Sequence, residues 1–205
     1  MAPKLKVIVP PHPLIGHWLS ILRDISTPPA LYAKGFEEIG RWLSYEAIRE
    51  WIPNKKEKIQ TNYGETDGVV IESNIKLIAI TSIPGGLELW NGGREVIPNA
   101  HLCLGGVPDE LNNNVGVIIY LDQIATGENL LKILTSLKKY KINPRQIRVI
   151  TALASNVGLR KISEENYELT IYTTCIDEKL TEKGDISPGI GNPLLRLNTT
   201  SVSSD

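Results

Sequence analysis

Apolar positions along this chain follow two rhythms, one of period two and one near 3.6, and they change places in a regular order. Leu14, Ile15, Trp18, Leu19 and Leu22 sit at helical spacing after His12-Pro13. A second helix is expected from about Pro28, behind a Thr27 cap, with Phe36, Ile39, Leu43, Ala47, Ile48, Trp51 and Ile52 as its stripe and Pro53 as its stop. Gly35 and Gly40 inside it lower its intrinsic propensity, so tertiary packing must hold it. Residues 54–60 read as a polar loop, residues 61–68 as turns, and residues 69–72 and 75–81 as strands around Ser73-Asn74.

From there the pattern is β-α-β. A helix is expected over 85–97, a short strand over 101–104, and a turn-rich stretch over 105–114. Residues 115–120, VGVIIY, are apolar or glycine and β-rich, which marks a strand buried on both faces. A loop through Ala125-Thr126-Gly127 then opens a helix over 129–140. A strand over 147–153, a helix over 155–163 and a strand over 168–174 follow. Strands alternating with helices imply an α/β fold, a mostly parallel sheet covered on both faces. Ligands of such sheets bind beyond the carboxyl ends of the strands, where the 125–127 turn lies. Residues 198–205 form a Ser/Thr-rich tail that is not expected to fold alone.

The chain has 205 residues, enough for one domain with a full core. With 41% hydrophobic and 22% charged residues it suits neither disorder nor a membrane span. A net charge of −1 gives no field that would recruit nucleic acid. Cys103 and Cys175 lie in strand-like runs and read as reduced core residues of a cytosolic protein. The three histidines show no ligand spacing with them, so no metal site is expected. The apolar run before Pro10-Pro11 is too short for a signal peptide.

A strand that ends in a Thr/Gly turn and opens a helix points several backbone N–H groups at one spot. With the helix dipole this makes an anion site, with phosphate its commonest occupant. Ala125, Thr126 and Gly127 also suit a plain strand–helix connection, and pattern alone does not choose between the two.

Several motifs then add up to a resemblance. The segments HPLIGHWLSILRD (12–24) and EEIGRWLSYEAIREW (37–51), the ATG at 125–127 and IDEKLTEKGDISPGIG (176–191) are similar, in that order, to the uracil phosphoribosyltransferase family. VPPHPLIGHW looks most like the cyanobacterial and plant-plastid version. The resemblance implies a type I phosphoribosyltransferase fold, Rossmann-like, over residues 1–197. Residues 1–53 would be a dimerising arm and long helix, 69–174 the α/β core, and 176–197 the region of the uracil loop. It implies a homodimer, with Trp18, Trp42 and Trp51 as large apolar anchors. The alternative is that these tryptophans belong to the domain's own core. The implied location is the cytoplasm, or the plastid stroma for a plastid-encoded chain.

The family reaction joins ribose 5-phosphate from phosphoribosyl pyrophosphate to uracil, giving UMP and pyrophosphate. It needs cations, Mg²⁺, bare amides and a carboxylate for the ribose hydroxyls. This chain departs from the family at those places. Where the family has an Arg in I-L-R-A-G-L, the run here is SIPGGL and Pro84 takes its place. Leu121 stands at the ribose acid; Asp122 replaces it only if the loop is one residue shorter. Glu128 and Asn129 occupy the last phosphate-loop positions. Two unit charges ~5 Å apart at an effective dielectric of 20 repel by roughly 3 kcal/mol. In the uracil loop Pro188, Gly189, Ile190, Gly191 and Arg196 keep the pattern, while Asn192 and Leu195 stand where the family has acids and Pro193 removes a donor. Ten residues, 105–114, are too few for the family's hood hairpin.

These departures favour a non-catalytic relative that works as a protein-binding, regulatory or assembly subunit with an unidentified protein partner. An active uracil phosphoribosyltransferase using Asp122, and a base or nucleotide sensor, are the alternatives. No cofactor is expected, and Mg²⁺ only for turnover. Leu194, Leu195, Leu197 and Trp90 are candidates for a contact patch; alternatively the leucines fill the space the substrate once held.

Overall fold

The computed structural model describes residues 5–72, 76–97, 99–165 and 167–198. Ser73, Asn74 and the tail beyond Asn198 therefore lie outside the described residues. The centre is the apolar strand expected at 115–120, which runs further than expected. β1 (Lys6–Ile8), α1 (Pro13–Arg23), α2 (Pro29–Ile48), the hairpin β2 (Asn54–Thr61) and β3 (Gly64–Ile71), β4 (Leu77–Thr81), α3 (Gly85–Gly93) and β5 (Ala100–Leu104) precede it. The strand itself is β6 (Gly116–Ile124). After it come α4 (Glu128–Lys138), β7 (Ile147–Ser155), α5 (Asn156–Glu164), β8 (Thr170–Thr173), the short strands β9 (Ile176–Asp177), β10 (Lys179–Leu180) and β11 (Ile186–Ser187), and α6 (Pro193–Arg196).

The main sheet has the order β1-β8-β7-β6-β4-β5, with β9 added to β7, and its pairings are parallel. β6 shows why the run had to be apolar throughout. Ile118 and Tyr120 face the layer of α1, α2 and α3, while Val117, Ile119 and Leu121 face α4 and α5. Each such side chain taken fully out of water contributes roughly 1.5–3 kcal/mol. The buried Tyr120 hydroxyl is satisfied by Ser44 of α2 at 2.8 Å.

The glycines of the long helix have a packing reason. A Cβ on Gly40 would lie 1.9 Å from the Leu89 carbonyl oxygen of α3, and one on Gly92 would lie 1.7 Å from that of Glu37. The two helices are in backbone contact there, which only glycine permits.

Several expectations need correction. The helix expected from a Thr27 cap to Pro53 runs over Pro29–Ile48, with Pro28 as an N-cap that makes no side-chain bond, so Trp51 and Ile52 lie beyond it. Residues 6–8, read only as a short apolar run, form an edge strand beside β8. Residues 61–68, read as turns, supply much of β3, and residues 54–60, read as a polar loop, belong to its antiparallel partner β2. The residues of β2 are all exposed, so it lacks the apolar alternation by which a strand announces itself. The helix over 85–97 ends at Gly93, where Arg94 caps it with its N–H on the Gly92 and Trp90 carbonyls. Between β5 and β6 the described residues hold no strand, in keeping with the short connection.

Candidate functional site

The chain goes from β4 outward to β5 and then returns to place β6 on β4's other side. The carboxyl ends of β4 and β6 thus face a crevice at a point where the strand order reverses, the usual ligand position in open α/β sheets. A cleft of about 460 Å³ lies there, lined by Ile83 and Pro84 after β4, by residues 121–130, and by Asp185, Asn192, Pro193 and Leu194.

The turn at 125–127 is shaped as the pattern suggested. Gly127 has φ +82° and forms the N-cap of α4, a left-handed conformation that suits glycine. A Cβ there would also press on the Gly158 carbonyl oxygen at 2.9 Å. Ser155 fixes the turn from behind: its hydroxyl donates to the Ala125 carbonyl at 2.5 Å and accepts from the Gly158 N–H at 2.9 Å. Glu128 lies on the cleft rim, yet its carboxylate is paired with Lys161 of α5 at 3.0 Å. Lys161 holds that carboxyl below its ordinary range. The repulsion expected of Glu128 is accordingly reduced by a neighbouring cation that sequence spacing did not reveal.

Asp122 is the acid inside the cleft. Leu121 beside it belongs to the core, packed among the α4 and α5 side chains. The Gln123 N–H donates to Asp122 Oδ1 at 2.8 Å, and the Asp122 N–H donates to the Ser82 hydroxyl at 3.2 Å. Gly85 leaves it room, since a Cβ there would come within 2.5 Å of the Asp122 Cβ. Burial, only partly offset by those N–H groups, pushes the carboxyl up to about 6. Pro84 stands at the cleft edge as the N-cap residue of α3, without charge or N–H to offer. Among the described residues that line the cleft are three acids, Asp122, Glu128 and Asp185, and no Lys, Arg or His.

The loop at 188–192 is held by a clasp absent from the sequence reading. Arg23, the last residue of α1, makes a two-pronged ion pair with Asp177 at 2.9 and 2.7 Å and also donates to the Gly189 carbonyl at 2.9 Å. The Gly189 N–H donates to Asp177 at 2.9 Å. Ile190 is buried, and its carbonyl accepts from the Tyr32 hydroxyl at 3.0 Å and from Arg196 at 3.1 Å. Arg196 does not reach into the cleft. Its guanidinium lies over the Tyr32 ring, 4.0 Å from the centroid, and donates to the Leu22 and Asp24 carbonyls of the arm. Pro188, Gly189, Ile190 and Gly191 do not line the cleft either; Asn192 does, while its side chain caps α6 through the Leu194 N–H at 2.9 Å.

The proposed contact patch is also redrawn. Trp90 is buried, 5% exposed, and packs edge-on against Tyr120. Leu197 packs against the core and Leu194 lines the cleft, leaving Leu195, 70% exposed, as the outward residue. The leucines do not fill the cleft. Trp18, Trp42 and Trp51 are half-buried at the margin of the core. Trp51 donates its indole N–H to the Arg145 carbonyl at 3.2 Å, and Trp42 stacks parallel to His12. Both cysteines are free and partly buried.

A family model described as uracil phosphoribosyltransferase matches residues 9–197. A uracil phosphoribosyltransferase of Synechococcus elongatus is 37% identical over 213 aligned residues, covering 96% of this chain and 98% of that protein. The chloroplastic uracil phosphoribosyltransferase of Arabidopsis thaliana is 32% identical over 92% of this chain and 69% of its own length. Among solved structures, the AQ2163 protein of Aquifex aeolicus superposes with a TM-score of 0.81 at 26% identity, covering 96% of this chain and all of that one.

Proposed function

This chain belongs to the uracil phosphoribosyltransferase family, and we propose that it is a non-catalytic member that acts as a homodimeric, protein-binding subunit. The observation that carries the reading is the charge of the cleft. Phosphoribosyl pyrophosphate is a polyanion, and transfer from it requires cations at the leaving pyrophosphate. Here the described cleft residues supply three carboxylates and no basic side chain, with Pro84 at the position the family gives to Arg.

The dimer draws support from the hairpin β2–β3. Among the described residues its strands pair only with each other, and Ile59, Tyr63, Val69 and Ile71 are exposed on it. A lone two-stranded hairpin is marginal in water, and a covering partner supplies the missing apolar contact. A second reading, an active enzyme, rests on Asp122, which lies in the cleft where a ribose-binding acid would be needed. Purified protein with uracil, phosphoribosyl pyrophosphate and Mg²⁺ decides between them. The expected result is no UMP and no saturable binding of phosphoribosyl pyrophosphate by calorimetry; UMP formation at enzymatic rates overturns the non-catalytic reading.

A further inference from the structure

We infer that the cleft binds an unphosphorylated ribonucleoside and discriminates against the same nucleoside carrying a 5′-phosphate. This rests on the reading that the cleft no longer carries out phosphoribosyl transfer, and it names the ligand class that the emptied chemistry still suits.

Three features of the cleft lead there. The first is Asp122. Its carboxylate is part-buried, lines the cleft, and accepts a hydrogen bond at Oδ1 from the adjacent Gln123 N–H. Oδ2 therefore has an acceptor to offer into the cleft. A part-buried carboxylate with spare acceptor capacity and no basic residue among the cleft's described residues is suited to neutral donors, and a vicinal pair of sugar hydroxyls is the common one.

The second feature is the state of the α4 N-terminus. Bare amides at a helix start would ordinarily favour an anion. Here the first helical residue is itself an acid, so the dipole is already met by Glu128, and Lys161 holds Glu128 in place. Asp185 adds a further negative charge across the cleft. A 5′-phosphate brought to this cleft would meet Asp122, Asp185 and a Glu128 whose charge is offset only by Lys161, whereas a 5′-hydroxyl would meet hydrogen-bonding groups such as Thr126 and Asn129.

The third is the remaining wall and size. Ile83, Pro84 and Leu194 give one side of the cleft an apolar surface, on which a planar base can lie. The volume of about 460 Å³ falls within the range of small-molecule clefts.

The test uses the full chain in low salt at neutral pH, titrated in a calorimeter with uridine, UMP and ribose 5-phosphate. The expected pattern is saturable uridine binding, with UMP weaker by about tenfold or more and ribose 5-phosphate weaker still. In the double variant Glu128→Gln/Asp185→Asn the gap between uridine and UMP should narrow severalfold. Asp122→Asn, checked for folding by its unfolding transition, should weaken uridine. UMP or ribose 5-phosphate binding as tightly as uridine overturns the inference, and so does the absence of uridine binding at millimolar concentration. UMP synthesis in the same preparation would instead remove the non-catalytic reading, so the two failures are told apart by which measurement gives the unexpected result.

Discussion

Asp122→Asn is expected to stabilise the protein near neutral pH and to leave it unchanged in acid. In the folded chain burial raises the carboxyl from 3.8 to about 6, with no cation to offset it. Below about pH 4 the group is protonated both folded and unfolded and contributes no difference. As pH rises, the unfolded chain releases the proton first while the folded chain keeps it, so stability falls through the window between the two values. Above it the deficit is constant. About two pKa units at about 1.4 kcal/mol each give a deficit of about 3 kcal/mol. Asparagine keeps an oxygen for the Gln123 N–H and removes the charge, so the variant should recover most of that amount. Urea unfolding of both proteins at fixed concentration, near neutral pH and below about pH 4, is the assay. A neutral-pH gain that is absent in acid is the expected outcome. Equal stability at every pH, or a gain independent of pH, would refute the placement of an unpaired buried carboxylate in the cleft.

Arg23→Ala should cost about 3–5 kcal/mol in urea unfolding, because it leaves Asp177, 6% exposed, without its counter-charge. Burial opposes ionisation of Asp177, but Arg23 and the Gly189 N–H hold its carboxyl below the usual range, so this stabilisation is present at neutral pH and disappears as pH falls through that lowered value. Gly40→Ala should destabilise by at least about 3 kcal/mol or prevent folding, since the methyl meets backbone rather than a movable side chain; Gly16→Ala, with nothing within 4 Å, serves as the helical glycine that should tolerate it. Light scattering at micromolar concentration should show a dimer, and a monomer would sink the assembly proposal.

The α/β architecture was legible because the strands that build it are apolar on both faces or nearly so, as residues 115–120 are, and because the Thr/Gly turn announces a helix start. The strands that escaped reading are those whose stability is not local. β2 carries Lys55, Lys56, Glu57 and Lys58 in succession and is a strand only through pairing with β3. β1 has three residues and gains its hydrogen bonds from β8, more than 160 positions away. The site was legible in part for the same reason. Pro84, Asp122, the 125–129 turn and Asn192 do meet in one cleft, since each sits at the end of a readable element. Lys161 and Arg23, which decide the charge of Glu128 and Asp177, are 33 and 154 residues from their partners, and no spacing rule links them. Arg196 shows the converse: its place in a motif suggested a ligand contact, while its hydrogen bonds go to the arm.

The cleft's residues differ in how they fare without a ligand, and that difference bears on what the protein does. Pro84 needs no donor, since its carbonyl accepts the first bonds of α3 and its missing N–H is one a helix start can spare. Glu128 is satisfied by the α4 dipole and Lys161. The 188–192 loop is satisfied by the clasp of Arg23, Asp177, Tyr32 and Arg196. All of these are at rest in an empty site. Asp122 is not, for burial raises its carboxyl to about 6 and no cation offsets that, so its ionisation at neutral pH opposes folding. A scaffold that had merely lost its chemistry and served only as a surface would be better off with asparagine there. An acid that works against the fold, in a cleft whose Pro84, Glu128 and 188–192 loop are satisfied within the protein, is explained by a neutral partner that enters and donates to it.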